Sequence, residues 1–361
     1  METARRAKPP PFMPCTNGVQ CRFLPTCIAN SISKSDESGE RTPVTISIFL
    51  CLEGLIMYVS MKPLLDHAAA NGYAVMAANA MNMEMARAVI SAADQKKAPL
   101  IIIIGGMQMA KHATAELMEP MIRRMAEETV APIALCLDHG PNLEKVMYAL
   151  NNQFSSIMID GSKLPLGENI ALTKHVVRLC HSVGVGVEGE IGHVGQAAAL
   201  DGRDASSYTA PEDAAKFVRE TDVDCLAVAI GTAHGEYPKG FVPKINFELL
   251  KKIKAATNQM PIALHGGSGS GDENIEKAVK AGINKINLAT DLQNASRDGV
   301  IEAYKNGGDY VKMIQNGELH CKNLLMHWME LSGSCGQAER IPLPYTFGKL
   351  QGDNKNTAVG E

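Results

Sequence analysis

Three histidines stand at the ends of short apolar runs, and each is followed directly by a glycine. They are His139, His234 and His265. Three imidazoles that leave one coordination position open are the ligand set of a catalytic zinc ion. The three residues form no local zinc motif, so a shared ion requires a fold that brings them together. Taken singly, each could equally be a hydrogen-bonded structural histidine.

A carboxylate immediately precedes the first of these histidines. On a regular strand, Asp138 and His139 would point to opposite faces, but a bend at the strand end would turn both side chains the same way. Asp138 could then carry a proton to or from an oxygen near the ion. It could instead accept an imidazole N–H and orient that ring. The sequence leaves both roles open.

Two segments offer backbone N–H groups to an anion. A Gly-Gly-Ser-Gly run at 266–269 directly follows the third histidine, and residues 287–290 open a predicted helix. Phosphate sites commonly form from such a glycine-rich loop beside a helix N-terminus. A lone glycine-rich run is usually a turn, so it is the pairing of the two segments that indicates a phosphate site.

These residues belong to a regular alternation of short apolar runs and helical segments that begins at Met57. Eight such units over about 250 residues predict an α/β fold, the TIM (β/α)8 barrel. The predicted strands are Ala74–Ala78, Leu100–Ile104, Ile133–Leu137, Ser156–Ile159, Gly184–Glu188, Cys225–Ile230, Ile262–Leu264 and Lys285–Leu288. Barrel enzymes carry their sites at the carboxyl ends of the strands, where the three histidines lie. An open doubly wound sheet is the alternative, but Ala77-Ala78-Asn79-Ala80 is not its usual glycine-rich turn.

Composition excludes some classes of function and distinguishes a central domain from two terminal segments. The 361 residues carry a net charge of −4, which argues against a general nucleic-acid binder. The nine cysteines form no Cys-x-x-Cys pair and lie mostly in apolar runs, as expected of reduced thiols in a cytoplasmic protein. No apolar run reaches the ~18 residues of a membrane span. We expect a disordered extension at 1–56, a barrel at 57–336 and a C-terminal tail at 337–361.

With these motifs in order, the chain resembles the class II, metal-dependent ketose-bisphosphate aldolases, and among them the tagatose type most. The resemblance runs from about Met57 to Gly336. The matching motifs are Asn79 with Asn82-Met83-Glu84, Leu137-Asp138-His139, Met158-Ile159-Asp160-Gly161-Ser162, Val187-Glu188-Gly189-Glu190, Gly231-Thr232-Ala233-His234-Gly235, Leu264-His265-Gly266-Gly267-Ser268-Gly269 and Lys285-Ile286-Asn287-Leu288-Ala289-Thr290. The family belongs to carbohydrate metabolism and glycolysis, and its members are commonly homodimers or homotetramers.

The resemblance implies a lyase that reversibly cleaves a phosphorylated ketose, such as fructose or tagatose 1,6-bisphosphate, to dihydroxyacetone phosphate and an aldehyde. It implies that His139, His234 and His265 hold one Zn²⁺ and that Asp138 moves the proton of the hydroxyl formed from the aldehyde. Asp160 and Glu190 would form a second site for a mono- or divalent cation, and Asn79 would contact substrate. The implied phosphate-binding residues are Gly235, Gly266, Gly267, Ser268, Asn287, Leu288, Ala289 and Thr290.

The chain departs from the family in the loop after the fifth strand. Family members carry a glutamate there that moves the ketone C–H proton, and Ala197 stands at its position. Asp201 or Asp204 could substitute for it, or a shifted alignment of the loop could supply another carboxylate. If none does, the chain is a phosphosugar-binding homologue with lost or altered catalysis.

Two further enzyme classes compete with the metal-dependent aldolase. A Schiff-base aldolase would use a lysine such as Lys163 or Lys285. A metal-dependent hydrolase on the same barrel would favour a His-x-His pair after the first strand, and Asn79-Ala80-Met81 lacks it.

Overall fold

Eight parallel strands close into a barrel in the computed structural model, which describes residues 57–197 and 207–343. The barrel strands are β1 (Val75–Asn79), β2 (Leu100–Gly105), β3 (Ile133–Gly140), β4 (Ser156–Ile159), β5 (Gly186–Ile191), β7 (Cys225–Val228), β9 (Ile262–Leu264) and β10 (Lys285–Leu288). Around the barrel the strand order is β1-β10-β9-β7-β5-β4-β3-β2. The TIM barrel prediction is therefore confirmed, and the open-sheet alternative is wrong.

Two short strands outside the barrel were not expected from the sequence. β6 (Gly195–Gln196) and β8 (Ala233–His234) pair in parallel, with Gly195 opposite Ala233 and Gln196 opposite His234. They are two residues long, too short for a periodic pattern to reveal them. The pairing ties the segment after β5 to the segment that carries His234.

Helices alternate with the strands as the periodicity predicts. The helices are α1 (Met61–Asn71), α2 (Met83–Lys96), α3 (Gly106–Lys111), α4 (Ala115–Ala126), α5 (Leu143–Asn151), α6 (Leu166–His181), α7 (Pro211–Thr221), α8 (Phe247–Ala256), α9 (Asp272–Lys280), α10 (Thr290–Lys305) and α11 (Tyr310–Leu331). Gly72, with φ of 69°, ends α1 in the left-handed conformation that favours glycine. α1, α3 and α11 do not belong to the eight expected units.

The barrel strands are apolar on both faces, because the inner face packs in the barrel interior and the outer face packs against the helices. In β2, Ile101 and Ile103 point into the barrel, while Ile102 packs with the surrounding helices. Each buried isoleucine contributes about 1.5–3 kcal/mol. Leu64 and Leu65 of α1 pack in the same cluster as Ile101 and Ile103, which we call the interior group. Since Met61 N donates to Ser156 Oγ at the start of β4 (2.9 Å), α1 covers the amino end of the barrel, opposite the predicted site.

Part of the predicted tail is attached to the barrel. The Ala338 N–H donates to Lys97 O at 2.9 Å, and Ile341 is buried in the interior group. The predicted disordered extension at 1–56 and residues 344–361 lie outside the described residues. Within 57–197 and 207–343, no helix combines the length and the apolar character that a bilayer crossing requires.

The last two helices pack closely because glycines lie where they cross. A Cβ added at Gly299 of α10 would lie 2.5 Å from Asn316 O of α11, and one added at Gly317 would lie 2.9 Å from Ser296 O. The backbones therefore approach more closely than any larger residue would allow.

We expect Gly299→Ala to destabilise the protein by about 1–3 kcal/mol, because the new methyl group would force α10 and α11 apart. Gly167→Ala in α6 is the matched control. Its Cβ would meet no atom within 4 Å, so removing the backbone freedom of glycine should stabilise α6 by about 0.5–1 kcal/mol. Urea denaturation measures both changes. Equal free energies of unfolding for the two variants would contradict this account of the crossing.

Candidate metal centre and active site

The three histidines of the sequence analysis meet at the carboxyl end of the barrel. The ring centroid of His139 lies 4.8 Å from those of both His234 and His265, and the latter two are 5.6 Å apart. Among the described residues, these three form one of two groups whose ligand atoms lie close enough together to hold a metal ion. The barrel therefore brings together side chains that lie far apart in the sequence.

A local irregularity in β3 turns His139 into the mouth. The register between β3 and β4 shifts between Leu137 and Gly140, and His139 has φ of 46°. A non-glycine residue in this left-handed region costs on the order of 1–3 kcal/mol, so surrounding contacts must hold it there. Gly140 is required beside it, because a Cβ there would lie 2.7 Å from Met158 O. Asp138 and His139 are both partly exposed, as the expected bend requires.

His234 follows a segment that is anchored on two sides. Thr232 Oγ1 donates to His265 O at 2.7 Å, and the Ala233 N–H donates to Tyr237 Oη at 2.7 Å. The β6–β8 pairing adds a third attachment. These contacts fix the backbone of His234 relative to His265, although His234 does not belong to a barrel strand.

Two carboxylates set the orientation of two of the rings. Asp160 Oδ2 lies 2.8 Å from His139 Nδ1, and Glu188 Oε1 lies 2.7 Å from His265 Nε2. A carboxylate can only accept, so each of these ring nitrogens carries a hydrogen. The other nitrogens, His139 Nε2 and His265 Nδ1, then face each other at 3.0 Å. Two bare lone pairs would repel each other at this distance, so either a proton or a metal ion must be shared at this point.

Burial and neighbouring charges separate the pKa values of the histidines. Burial alone would lower the pKa of His139, but the carboxylates of Asp138, Asp160 and Glu190 outweigh it and raise that pKa to about 10. Burial, followed by the two other imidazoles, lowers the pKa of His234 to about 3. Near neutral pH and without a metal ion, His139 therefore holds a proton in a pocket rich in carboxylates.

Glu190 provides a further indication that the site fits a cation. Its Oε2 is buried without a hydrogen-bond partner, 3.5 Å from His265 Nδ1 and 3.7 Å from His139 Nδ1. Burial, with the charges of Asp160 and Glu188, raises the pKa of Glu190 to about 8. An unpartnered buried carboxylate oxygen is costly unless a cation or a proton reaches it. The donor set of imidazoles and carboxylates suits Zn²⁺.

The second predicted cation site overlaps the first. Asp160 and Glu190 form a group of possible ligands together with His139, which also belongs to the three-histidine group. The acidic residues are therefore next to the histidines and not at a separate place on the barrel.

A buried ion pair that the sequence analysis did not assign to the site lies beneath the histidines. Lys285 Nζ lies 2.8 Å from Glu188 Oε2, and both side chains are fully buried. Lys285 also donates to Asn287 Oδ1 at 2.6 Å, and Asn287 Nδ2 donates to Asp138 Oδ1 at 3.1 Å. The sequence did contain a signal for this ion pair. Lys285 and Asn287 stand two positions apart in an apolar strand, so their side chains must point to the same face.

The same contacts argue against Lys285 as a Schiff-base nucleophile. Burial alone would lower its pKa, but the carboxylate of Glu188 outweighs burial and raises it. The amine therefore stays protonated and lacks the free electron pair that attack on a carbonyl requires. The other candidate, Lys163, has an exposed side chain.

The predicted phosphate-binding loops are joined to each other. Gly267 can approach β10 because it has no side chain: a Cβ there would lie 2.7 Å from Asn287 O. The Gly269 N–H donates to Asp291 Oδ2 at 2.9 Å, and Asp291 N donates to Ser268 Oγ at 3.2 Å. The Gly269 N–H is therefore occupied by a carboxylate, and a bound phosphate would use the other N–H groups of the loop. α10 begins at Thr290, as expected for a helix start beside this loop.

Two other predicted positions have contrasting surroundings. Asn79 is buried and bonded to other amides: its Nδ2 donates to Gln108 Oε1 (2.8 Å), and its Oδ1 accepts from Gln293 (3.0 Å). Ala197 is fully buried. The carboxylates proposed to replace the missing glutamate, Asp201 and Asp204, lie outside the described residues.

Removing one partner of the buried ion pair should be costly. We expect Lys285→Met to lower the free energy of unfolding by about 3–5 kcal/mol, because the Glu188 carboxylate would stay buried without compensation. The double variant Glu188→Gln/Lys285→Met carries no buried charge at this position and should lose much less. Urea denaturation of the metal-free proteins at neutral pH compares them. A double variant as unstable as the single variant would contradict the role given to the pair.

Comparison with known proteins gives the same family as the sequence motifs. Residues 59–337 match the family model described as fructose-bisphosphate aldolase class-II. The fructose-bisphosphate aldolase of Geobacillus stearothermophilus is 36% identical over 291 residues, which cover 78% of this chain and 98% of that protein. The crystal structure of the YdjI aldolase from Escherichia coli K12 is 32% identical with a TM-score of 0.69, covering 78% of this chain and 99% of that one. The chain therefore belongs to the class II fructose-bisphosphate aldolases, a family of zinc-dependent carbon–carbon lyases.

Proposed function

We propose that this chain holds one Zn²⁺ at His139, His234 and His265, and that it reversibly cleaves a phosphorylated ketose to dihydroxyacetone phosphate and an aldehyde. The observation that carries the proposal is the convergence of the three imidazoles, whose ring centroids lie 4.8–5.6 Å apart and whose nitrogens lie close enough to share one ion. When bound, zinc supplies Lewis-acid stabilisation of the negative charge that develops on the ketone half of the substrate, worth several kcal/mol. A second cation at Asp160 and Glu190 would compete for His139, which both groups contain.

Asp138 moves the proton of the substrate hydroxyl that becomes the aldehyde. In cleavage it accepts this proton as the carbon–carbon bond breaks, and in condensation it returns the proton to the aldehyde oxygen. Its position beside His139 and its partial exposure support this role. The alternative role of orienting an imidazole is less well supported, because Asp160 and Glu188 already contact the two rings concerned.

The phosphate of dihydroxyacetone phosphate is held by backbone N–H groups and hydroxyls beside the ion. Anchoring the phosphate places the reacting carbons next to the catalytic groups, so the reaction does not depend on a chance collision. Asn79 would contact the substrate through the amide cluster it shares with Gln108 and Gln293. The residues proposed for the phosphate are Gly235, Gly266, Gly267, Ser268, Asn287, Leu288, Ala289 and Thr290.

A second candidate function rests on Ala197. A methyl group cannot move the C–H proton of the ketone, so the chain could bind phosphosugars without cleaving them unless Asp201 or Asp204 takes over. The two functions differ in one measurable step, the exchange of the C–H proton of dihydroxyacetone phosphate with solvent.

We further propose a cytoplasmic homodimer or homotetramer. Cys136, Cys180, Cys225 and Cys321 are free and buried, which supports a reducing compartment. Exposed apolar side chains on the α10–α11 hairpin, including Ile301, Tyr304, Tyr310, Val311 and Leu319, support self-association.

The deciding experiment for the function is a panel of ketose 1-phosphates and ketose 1,6-bisphosphates, with detection of released dihydroxyacetone phosphate. We expect cleavage that a chelator abolishes and that added Zn²⁺ restores. Borohydride should trap no covalent adduct, since the buried Lys285 is protonated. Bound zinc with neither cleavage nor C–H exchange would favour the phosphosugar-binding function. Activity that survives chelation together with a trapped adduct would favour a lysine.

We expect His234→Ala to remove the metal, because two imidazoles remain where three are needed. Metal content after dialysis against trace zinc measures this directly. His175→Ala is the matched control, because His175 is exposed on α6 and should not affect zinc content. Stoichiometric zinc in the His234 variant would exclude that residue from the ligand set.

Asp138→Ala should retain its zinc but lose about 10²–10⁴-fold in the cleavage rate, the usual contribution of a general acid–base group. Because Asp138 acts on the hydroxyl of the aldehyde half, exchange of the C–H proton of dihydroxyacetone phosphate should change much less. A variant with both rates unchanged, or with both reduced equally, would contradict the proposed role.

A further inference from the structure

Lys285 connects the two halves of the site through one buried ammonium group. On one side its Nζ contacts Glu188, whose other oxygen lies 2.7 Å from His265 Nε2. On the other side it donates to Asn287, which donates to Asp138. An uninterrupted chain of polar contacts thus runs from a proposed metal ligand to the proposed proton carrier.

The chemistry of an ammonium decides which way the Asn287 amide faces. An ammonium only donates, so the group that faces Lys285 at 2.6 Å must be the amide oxygen. The amide NH₂ is thereby turned toward Asp138, a carboxylate that only accepts. The amide NH₂ also lies 3.3 Å from His265 Nε2, but that nitrogen carries a hydrogen for Glu188 and cannot accept. Asp138 is therefore the acceptor, and the amide holds its Oδ1 at the mouth of the barrel.

We propose that Lys285 is a positioning residue, which fixes the Asn287 amide so that the amide holds the Asp138 carboxylate in place for proton transfer. The inference rests on the proposed function, in which Asp138 moves the hydroxyl proton. It gives Lys285 a task besides neutralising Glu188. A lysine needed only to balance a buried charge could be removed together with that charge, without selective loss of one step of the reaction.

The double variant Glu188→Gln/Lys285→Met separates the two tasks. It removes both buried charges, and the glutamine introduced at position 188 can still accept from His265 Nε2 through its amide oxygen. The methionine introduced at position 285 offers no donor to Asn287. With saturating zinc, we expect the cleavage rate to fall about 10- to 100-fold, the range typical for residues that orient a catalytic group. Exchange of the C–H proton of dihydroxyacetone phosphate does not use Asp138, but it does depend on the zinc ligand that Glu188 orients. It should therefore fall by a smaller factor than cleavage.

The matched control is Lys254→Met. Lys254 is also buried, and its Nζ bonds Gln259 O, Met260 O and Asn284 Oδ1, just before β10 begins. This variant removes a buried ammonium bonded to an asparagine at the opposite end of the same strand. It should lower the stability while leaving both rates unchanged.

A crystal structure of the zinc-loaded double variant gives a readout that does not depend on activity. We expect the Asn287 amide to have left hydrogen-bond distance of Asp138. An amide still bonded to Asp138, or a cleavage rate equal to the parent's, would overturn the inference. If the parent enzyme cleaves no ketose phosphate, the proposed function fails instead, and the crystal structure still decides the role of Lys285.

Discussion

Two imidazole nitrogens that face each other at 3.0 Å are the constraint on which the site depends. Asp160 and Glu188 fix the hydrogen on the far nitrogen of each ring, so the space between the near nitrogens takes one proton or one metal ion, but not two hydrogens. Neither ring can turn away without losing its carboxylate. Without a metal ion, the second proton of His139 fills this space. The other polar groups of the barrel mouth hold the two rings in this position.

The supporting groups use the simplest property of a strand, the alternation of its side chains. Glu188 and Glu190 both point into the barrel because they are two positions apart on β5, and Lys285 and Asn287 do so on β10. Four polar side chains thus meet in an interior that is mostly apolar. Burial makes each of these polar groups costly alone: Glu188, Lys285 and Asn287 contact specific neighbours, and Glu190 has a buried oxygen that no hydrogen bond satisfies.

The sequence predicted the barrel and its eight strands because apolar runs and helical periods repeat regularly along it. It also predicted that the three histidines lie at one end, since parallel strands of a barrel share a direction. It did not predict the role of Glu188 or Lys285, because their importance comes from a contact between distant strands. The β6–β8 pair was not predicted for another reason: a strand of two residues is too short to show an alternating pattern of apolar and polar side chains.

At His139, the backbone conformation and the side chain favour different residues. At φ of 46° the chain alone would be better served by glycine, which adopts this conformation without strain. A glycine at this position would relieve the strain and would also remove the ring that contacts Asp160. The contacts around β3 and β4 must therefore offset about 1–3 kcal/mol of backbone strain to place one side chain.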